Sequence, residues 1–320
     1  MSVIQTTKKV LQSIGLLEPL KAVKYGVKNC AHLSREFFYR LPNPLRKLQQ
    51  SLSQDKKVKR AREKLRREGI AVLESYLSQE QLREIQADFE RFVRIVEASE
   101  PGPMKMSPDG GALHPSVTYA EESYIADEMI TISNNPFKHS AGFLQLALDP
   151  LILEIIAGYI GKRFMLQQAT AARLYPNQRT DFGSFQWHHD SWGRKINVMF
   201  LFTDVTEKDQ HMSYIKGSNN TYHSLLRTSI NDRFTQEEVD AACGGTEFKC
   251  LGKAGTVFIF DANGFHRGNR NLGAKRDSLI TQYTAGRYIW GFDIPEKHLA
   301  RLSDAQLSFL NHNPNINVTN

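Results

Sequence analysis

The sequence Gln186-Trp187-His188-His189-Asp190-Ser191-Trp192 contains the pair His188-x-Asp190. Alternate residues of a β-strand point to the same face, so an extended stretch would direct the His188 imidazole and the Asp190 carboxylate at one point. Two histidines and one carboxylate form the facial ligand set that leaves open positions on non-haem Fe(II). The stretch supplies two of these ligands, and a second histidine must come from elsewhere in the chain.

A candidate for this third ligand is His266, which lies 76 residues after the His-x-Asp pair. Residues 255–261 have the composition of a strand, and the turn 262–264 leads from that strand to His266. Arg276 follows ten residues later and opens the last predicted strand of this region, 277–283. The order of these features, rather than any one of them, indicates a metal site.

The chain changes its hydrophobic period from helical to strand-like along its length. Apolar spacing predicts helices over 78–96 and 143–160, and Ser78 with Gln81 predicts a capping box at the start of the first. A closing helix is predicted over 299–310. Helices followed by many short strands predict a sandwich or barrel with helical support. The predicted strands are 69–73, 164–175, 185–190, 196–202, 212–215, 248–251, 256–260 and 279–288.

The positive charge is concentrated at the N-terminus. The 320-residue chain has a net charge of +7, yet residues 1–68 hold 17 Lys and Arg against 5 Asp and Glu, and the remainder holds 24 against 29. We interpret residues 1–66 as a basic helical N-terminal extension. A solvated helical cover and peripheral contact with an anionic membrane are both compatible with it. Nucleic-acid binding is disfavoured because no reader motif accompanies the charge.

Composition also bears on location. The three cysteines are too few and too scattered for a disulfide framework, which favours a reducing compartment. No secretory signal is visible, and the longest apolar stretches, 151–160 and 196–202, fall short of the roughly 20 residues that span a bilayer. The expected location is cytoplasmic, with peripheral membrane association as the alternative. Residues 97–140 are rich in Pro and Gly, and they are interpreted as a lid over the site or a surface loop.

The ordered motifs resemble those of the phytanoyl-CoA dioxygenase family within the Fe(II)/2-oxoglutarate dioxygenases. Residues 186–190 are similar to the family's metal strand, and 255–266 with Arg276 are similar to its closing strands. Residues 214–219 are similar to its PGSH turn, with Lys216 for Pro and Asn219 for His. The resemblance covers 69 to about 290.

The resemblance implies a mainly β fold with helical support. Its core would be a double-stranded β-helix, a cupin-like jelly roll, with helices on the N-terminal side. We expect the oxygenase domain to span 67–292, with 97–140 as its insert and 293–320 as a C-terminal helix and tail.

The resemblance also implies the cofactors and their ligands. Fe(II) would be held by His188, Asp190 and His266, and 2-oxoglutarate and O2 would take the remaining positions. Arg276 would pair its planar fork with the far carboxylate of 2-oxoglutarate, a contact that Lys could not copy. Further cosubstrate contacts are predicted at three positions. These are Gly268, Phe202 and Arg173.

Two neighbours of these residues are given lesser roles. Arg270, four residues after His266, is a rival anchor for 2-oxoglutarate, but it lies in a turn-rich segment and is expected in solvent. His189 should point away from His188 and is interpreted as structural.

The expected activity is hydroxylation of an unactivated C–H bond of a small or lipid-like molecule, with release of succinate and CO2. The carboxylate of Asp190 supports it, because related halogenases lack that carboxylate to make room for chloride. Desaturation, ring closure and epimerisation are alternatives that use the same oxidant. A binding protein with an inactive jelly roll is the alternative from another class.

Overall fold

The computed structural model describes twelve segments of the chain. The segments are 55–98, 104–105, 116–117, 123–126, 130–133, 135–161, 164–178, 183–190, 195–220, 233–285, 291–312 and 316–319. Residues 1–54 of the basic extension and most of 97–140 lie outside the described residues.

Two helices begin the described chain. Helix α1 (Lys56–Glu68) starts at Asp55, whose carboxylate accepts the backbone N–H of Lys57 at 2.6 Å, and it ends at Gly69 with a φ of 77°. After strand β1 (Ile70–Leu73), helix α2 (Gln79–Glu97) starts with the predicted capping box, in which Ser78 and Gln81 exchange hydrogen bonds of 3.0 and 3.2 Å. Left-handed backbone at Gly69 allows the sharp change from helix to strand.

The predicted helix 143–160 is divided in two. Helix α3 (Ala141–Ala147) ends before Asp149, and helix α4 (Pro150–Ile160) begins with Pro150. Asp149 caps α4 by accepting the N–H groups of Leu151 and Ile152 at 2.9 and 3.0 Å. Proline is favoured at a first helical position because its missing N–H would have no partner there, and it cannot continue a preceding helix. The Asp-Pro pair therefore breaks the predicted helix.

The strands that follow β1 are β2 (Met104–Lys105), β3 (Ser116–Val117), β4 (Ser123–Ala126), β5 (Ile130–Ser133), β6 (Met165–Leu174), β7 (Lys195–Leu201), β8 (Met212–Ile215), β9 (Glu247–Cys250), β10 (Val257–Asp261), β11 (His266–Gly268), β12 (Arg276–Thr284), β13 (Phe292–Pro295) and β14 (Ile316–Thr319). The large sheet contains seven strands in the order β1-β10-β7-β12-β6-β5-β4, and every neighbouring pair is antiparallel. The small sheet has the order β11-β8-β9, and two further pairs are β2-β3 and β13-β14. The remaining helices are α5 (Gln236–Cys243), α6 (Glu296–Leu299) and α7 (Asp304–Asn311).

Side chains alternate between the two faces of the large sheet. One face packs against α1 to α4, and the other packs against the small sheet. Helices therefore cover one face of a two-sheet core, which confirms the predicted jelly roll with helical support. Residues on the helix-covered face include Ala169, Ala171, Ile196, Val198, Phe200, Leu279 and Tyr283. Residues between the sheets include Met199, Leu201, Phe258, Phe260, Met212 and Tyr214.

The strand expected at 185–190 is not regular. A 3-10 turn covers Gly183–Phe185, and Trp187 and His188 form isolated bridges to Phe234 and His266. The other predicted strands are present with their ends moved by a few residues. Part of the predicted insert also belongs to the large sheet, because β4 and β5 add to its edge beside β6.

The described ends of the chain share the central core. Val58, Ala61 and Leu65 of α1 are buried in the same apolar cluster as the sheet, so a boundary at residue 66 cuts through an integral helix. Phe292 and Ile294 of β13 are buried there too. By length and composition Ala141–Ile160 could cross a membrane, but half of it is buried inside the protein.

Candidate active site

His188, Asp190 and His266 converge, with their potential ligand atoms all within 4.8 Å of one another. The two histidines are direct antiparallel neighbours. The His188 N–H donates to the His266 carbonyl at 3.0 Å, and the His266 N–H donates in return at 2.8 Å. Because directly opposed residues point to the same face, their rings lie 4.2 Å apart.

Hydrogen bonds fix how both imidazoles are presented. Nδ1 of His188 lies 2.9 Å from the Gln186 carbonyl, and Nδ1 of His266 lies 2.9 Å from the Gly264 carbonyl. A carbonyl only accepts, so each Nδ1 carries the proton and each Nε2 keeps its lone pair. Nε2 of His266 lies 3.9 Å from Oδ1 of Asp190. This tautomer is the one in which Nε2 binds a metal ion.

Two amides orient the Asp190 carboxylate. Oδ2 accepts from Asn197 at 3.2 Å and from Gln282 at 2.9 Å. Asn197 on β7 and Gln282 on β12 are register partners, and Gln282 also donates to the Asn197 side-chain oxygen at 2.9 Å. With Oδ2 held, Oδ1 is the oxygen directed at His266. Sequence reasoning missed both amides, although each occupies a cavity-facing position of a predicted strand.

The electrostatics favour the metal-binding protonation states. Burial, with the neighbouring His266, lowers the pKa of His188 to about 3. Burial opposes ionisation of Asp190, but His266 and His188 nevertheless hold its pKa below the usual value. At neutral pH the site therefore presents a neutral imidazole at His188 and a carboxylate at Asp190, as metal binding requires.

The triad opens on a cavity of about 440 Å³ between the two sheets. Every second residue of the three central strands faces it, which follows from strand periodicity. These positions are Gln168, Thr170, Ala172 and Leu174 on β6, Lys195, Asn197 and Met199 on β7, and Arg276, Ser278, Ile280 and Gln282 on β12. The metal ligands thus share one cavity with the predicted cosubstrate anchor, Arg276.

Arg276 is buried in this cavity, and two of its nitrogens, Nε and Nη1, have no hydrogen-bond partner in the described part of the chain. Burial and the neighbouring Arg270 lower its pKa to about 10. A buried guanidinium without an anion is costly, so the cavity fits a ligand carboxylate. Ser278, two residues along the same face, has a buried hydroxyl that also lacks a partner there.

Gly268 also lines the cavity, two residues after His266. A Cβ at this position would lie 2.9 Å from Cδ1 of Phe185. A larger residue would therefore displace Phe185 from the cavity wall. The space beside the second histidine depends on the absence of a side chain at Gly268.

Two predicted cosubstrate contacts are not brought to the cavity. Phe202 follows β7 directly, and alternation along the chain places its side chain on the helix-covered face. There it stacks on Phe143, with ring centroids 5.9 Å apart. Arg173 is on β6 but faces away from the cavity, and it donates to Asp277 at 2.7 and 2.8 Å. Both interpretations require correction, because strand alternation places these side chains on the opposite face.

The expectation of a solvated Arg270 is also wrong. Its side chain is buried, with Nη2 donating to the Tyr175 carbonyl at 3.1 Å and its guanidinium 4.7 Å from the Phe185 ring centroid. It lines a neighbouring cavity rather than the one with the triad. His189, by contrast, points away from the triad as expected, towards Phe234 at 5.7 Å between ring centroids.

The turn 261–264 supports two ligands at once. The Ala262 carbonyl accepts the backbone N–H of Asp190 at 2.8 Å, and the Gly264 carbonyl accepts Nδ1–H of His266 at 2.9 Å. The Asp261 carboxylate accepts the backbone N–H of Asn263 at 2.9 Å and the side-chain N–H of Asn263 at 2.7 Å. This turn therefore sets the position of Asp190 relative to His266.

A jelly roll in which two histidines and a carboxylate face a cavity is the arrangement of the non-haem iron oxygenases. Residues 65–278 match the family model of phytanoyl-CoA dioxygenase (PhyH), and the chain belongs to that family. Family and triad together identify an Fe(II)- and 2-oxoglutarate-dependent oxygenase. A search of curated proteins gave no match.

Solved structures share the fold. EctD from S. alaskensis with bound Fe has a TM-score of 0.54 at 19% identity, covering 70% of this chain and 75% of EctD. The α-ketoglutarate-dependent carbocyclase SnoK from nogalamycin biosynthesis has a TM-score of 0.50 at 17% identity, covering 77% and 90%. The epimerase SnoN, in complex with Fe3+, α-ketoglutarate and nogalamycin RO, has a TM-score of 0.51 at 16% identity, covering 71% and 83%.

Proposed function

We propose that the protein hydroxylates an unactivated C–H bond of a small-molecule or lipid-like substrate. One oxygen atom of O2 would enter the alcohol and the other would enter succinate, with CO2 released from 2-oxoglutarate. The observation that carries the proposal is the Asp190 carboxylate, held by two amides in the same cavity as Arg276. EctD, crystallised with 2-oxoglutarate and 5-hydroxyectoine, shares this fold and supports a hydroxylated product.

In this proposal each residue has a defined task. His188 and His266 would bind iron through Nε2, and Asp190 would bind it through Oδ1. Arg276 would hold the far carboxylate of 2-oxoglutarate, which explains its unpartnered nitrogens. Gly268 would leave room beside the metal. When bound, iron and 2-oxoglutarate supply the oxidising power that no protein side chain can supply.

The test measures 2-oxoglutarate turnover with Fe(II), ascorbate and a panel of small and lipid-like molecules under 18O2. The expected result is stoichiometric succinate and a product heavier by one 18O atom. The Asp190→Ala variant should lose turnover, while His312→Ala, a change at an exposed histidine, should retain it. Absence of substrate-dependent succinate from the wild type would favour the non-catalytic binding protein.

A second candidate uses the same site for a different outcome. SnoK and SnoN are described as a carbocyclase and an epimerase, and both share this fold. Ring closure or desaturation would give a product lighter by two hydrogens, and epimerisation would leave the mass unchanged. None of these products would contain 18O, so the same assay separates the three reactions from hydroxylation.

We also propose peripheral contact with an anionic membrane through residues 1–66, with the protein otherwise cytoplasmic. Basic side chains on the exposed face of α1 support this proposal: Lys56, Lys57, Lys59, Arg60 and Lys64. Replacing these residues by Gln in the full chain should reduce sedimentation with phosphatidylserine vesicles at low salt. Unchanged sedimentation would contradict α1 as the contact, and 2-oxoglutarate affinity should be equal in both proteins.

A further inference from the structure

A second cavity of about 590 Å³ adjoins the one that contains the triad. Phe185, Arg267 and Gly268 line both cavities, so these residues form the partition between them. A molecule that extends past this partition would have one part beside the metal ligands and another in the second cavity. The groups that line the second cavity therefore bear on which molecules the proposed oxygenase accepts.

Two cations of the second cavity already have carboxylate partners. Nζ of Lys249 lies 3.1 Å from a Glu207 carboxylate oxygen. Nη2 of Arg267 lies 3.8 Å from a Glu247 carboxylate oxygen, and the Arg267 guanidinium lies 4.3 Å from the Trp187 ring centroid. These pairs balance the two glutamates in the cavity wall.

Arg270 is the cation without a balancing charge. Its side chain is 95% buried, since its relative exposure is 5%. Nη2 donates to a backbone carbonyl, but Nε and Nη1 have no hydrogen-bond partner among the described residues, and no carboxylate of that part of the chain pairs with it. Burial lowers its pKa to about 10, yet the group stays protonated at neutral pH.

Arg276 cannot balance the charge of Arg270, because Arg276 is itself a buried cation. Arg270 lies close enough to lower the pKa of Arg276. The two guanidinium groups line different cavities, so each can bind an anionic group of its own. The far carboxylate of 2-oxoglutarate would satisfy Arg276. A second oxyanion is needed for Arg270, and its planar fork matches a carboxylate or a phosphate.

We infer that the second cavity binds an oxyanion carried by the primary substrate, and that Arg270 is its anchor. This inference rests on the proposed function, since it gives the substrate of that site an acidic group. The substrate's hydrocarbon part would lie in the first cavity, whose lining includes Leu174, Met199 and Ile280. The Arg267–Trp187 stack would form one wall of the oxyanion site.

The test uses Trp187 as a reporter of the second cavity. The chain has three tryptophans, so the double variant Trp192→Phe/Trp290→Phe leaves Trp187 as the sole source of tryptophan fluorescence. Inorganic phosphate and acetate are titrated separately at constant ionic strength. At least one should give a saturable change, and the tighter anion indicates whether the substrate carries a phosphate or a carboxylate.

Variants of the two arginines separate the two anion sites. In the same background, Arg270→Gln should weaken anion binding about tenfold or more, and Arg270→Lys should retain part of it. Arg276→Gln should leave phosphate and acetate affinities unchanged while 2-oxoglutarate affinity falls. No saturable change in the parent protein would overturn the inference, as would equal anion affinity after Arg270→Gln.

Failure of the proposed function would look different. In that case 2-oxoglutarate and Fe(II) would not bind to the parent protein, although phosphate or acetate still did. Thermal unfolding shows whether each variant is folded. If a variant does not fold, the anion titration of the parent protein can still overturn the inference.

Discussion

Gln282 on β12 donates a hydrogen bond of 2.9 Å to Oδ2 of Asp190, the carboxylate of the metal triad. The two residues are 92 positions apart in the chain. Asn197 donates to the same oxygen, so a pair of amides from adjacent strands prevents the carboxylate from rotating. Removing such a partner typically costs 10- to 100-fold in metal affinity.

We therefore expect Gln282→Met, which keeps the side-chain length but removes the donor, to weaken metal binding by about tenfold. Binding is measured by anaerobic Fe(II) titration or by the visible absorption of Co(II). Gln81→Met, at an exposed helix start, is the control. Equal affinities of the Gln282→Met variant and the wild type would show that Asn197 alone holds the carboxylate.

Arg276→Gln and Arg276→Lys should both weaken 2-oxoglutarate binding in the presence of metal. Loss of one member of a buried, hydrogen-bonded charge pair costs about 2–5 kcal/mol, and Lys cannot reproduce the planar fork. Calorimetric titration measures the affinity. Arg83→Gln, at an exposed position of α2, should bind as the wild type does. A normal affinity in Arg276→Gln would assign the cosubstrate carboxylate to another group.

The stability of the metal-free protein should fall as the pH drops below about 6.5, the ordinary pKa of histidine. Burial lowers the pKa of His188 to about 3 in the folded protein. Between these values the unfolded chain binds a proton that the folded chain does not, so acid favours unfolding. The contribution is absent above pH 6.5 and grows towards pH 3.

Denaturant unfolding of metal-free protein at pH 7 and pH 5 measures this effect. His188→Gln removes the titrating group and should reduce the loss of stability between the two pH values. His312→Gln, at an exposed histidine, should leave the loss unchanged. A loss of the same size in the His188→Gln protein would assign the acid sensitivity to other groups.

Leu65→Ala should destabilise the whole domain by about 2–5 kcal/mol, the usual cost of removing a buried leucine side chain. Leu65 is fully buried in the cluster that contains the sheet, so α1 is expected to unfold together with it. Urea unfolding followed by circular dichroism tests this. Lys64→Ala, one residue earlier and exposed, is the matched control. A separate early transition for α1 would instead support a detachable extension.

Much of the site could be predicted from the sequence because strand parity and residue chemistry are local properties. His188, Asp190 and His266 are recognisable by residue type, spacing and order, and Arg276 by its position after His266. Strand alternation could also have excluded Phe202. It lies an odd number of residues after the cavity-facing Asn197, so its side chain points to the other face. The break at Pro150 was also visible as an Asp-Pro pair.

The types of the metal ligands, the periodicity of the strands and the family of the chain all follow from local residue patterns. The packing of the folded chain determines which face of each strand is covered by helices and which face lines the cavity. For that reason it alone brought Asn197 and Gln282 to Asp190, turned Arg173 towards Asp277 and buried Arg270. Alternation fixes which side chains share a face, but the burial of that face depends on elements packed from distant parts of the chain.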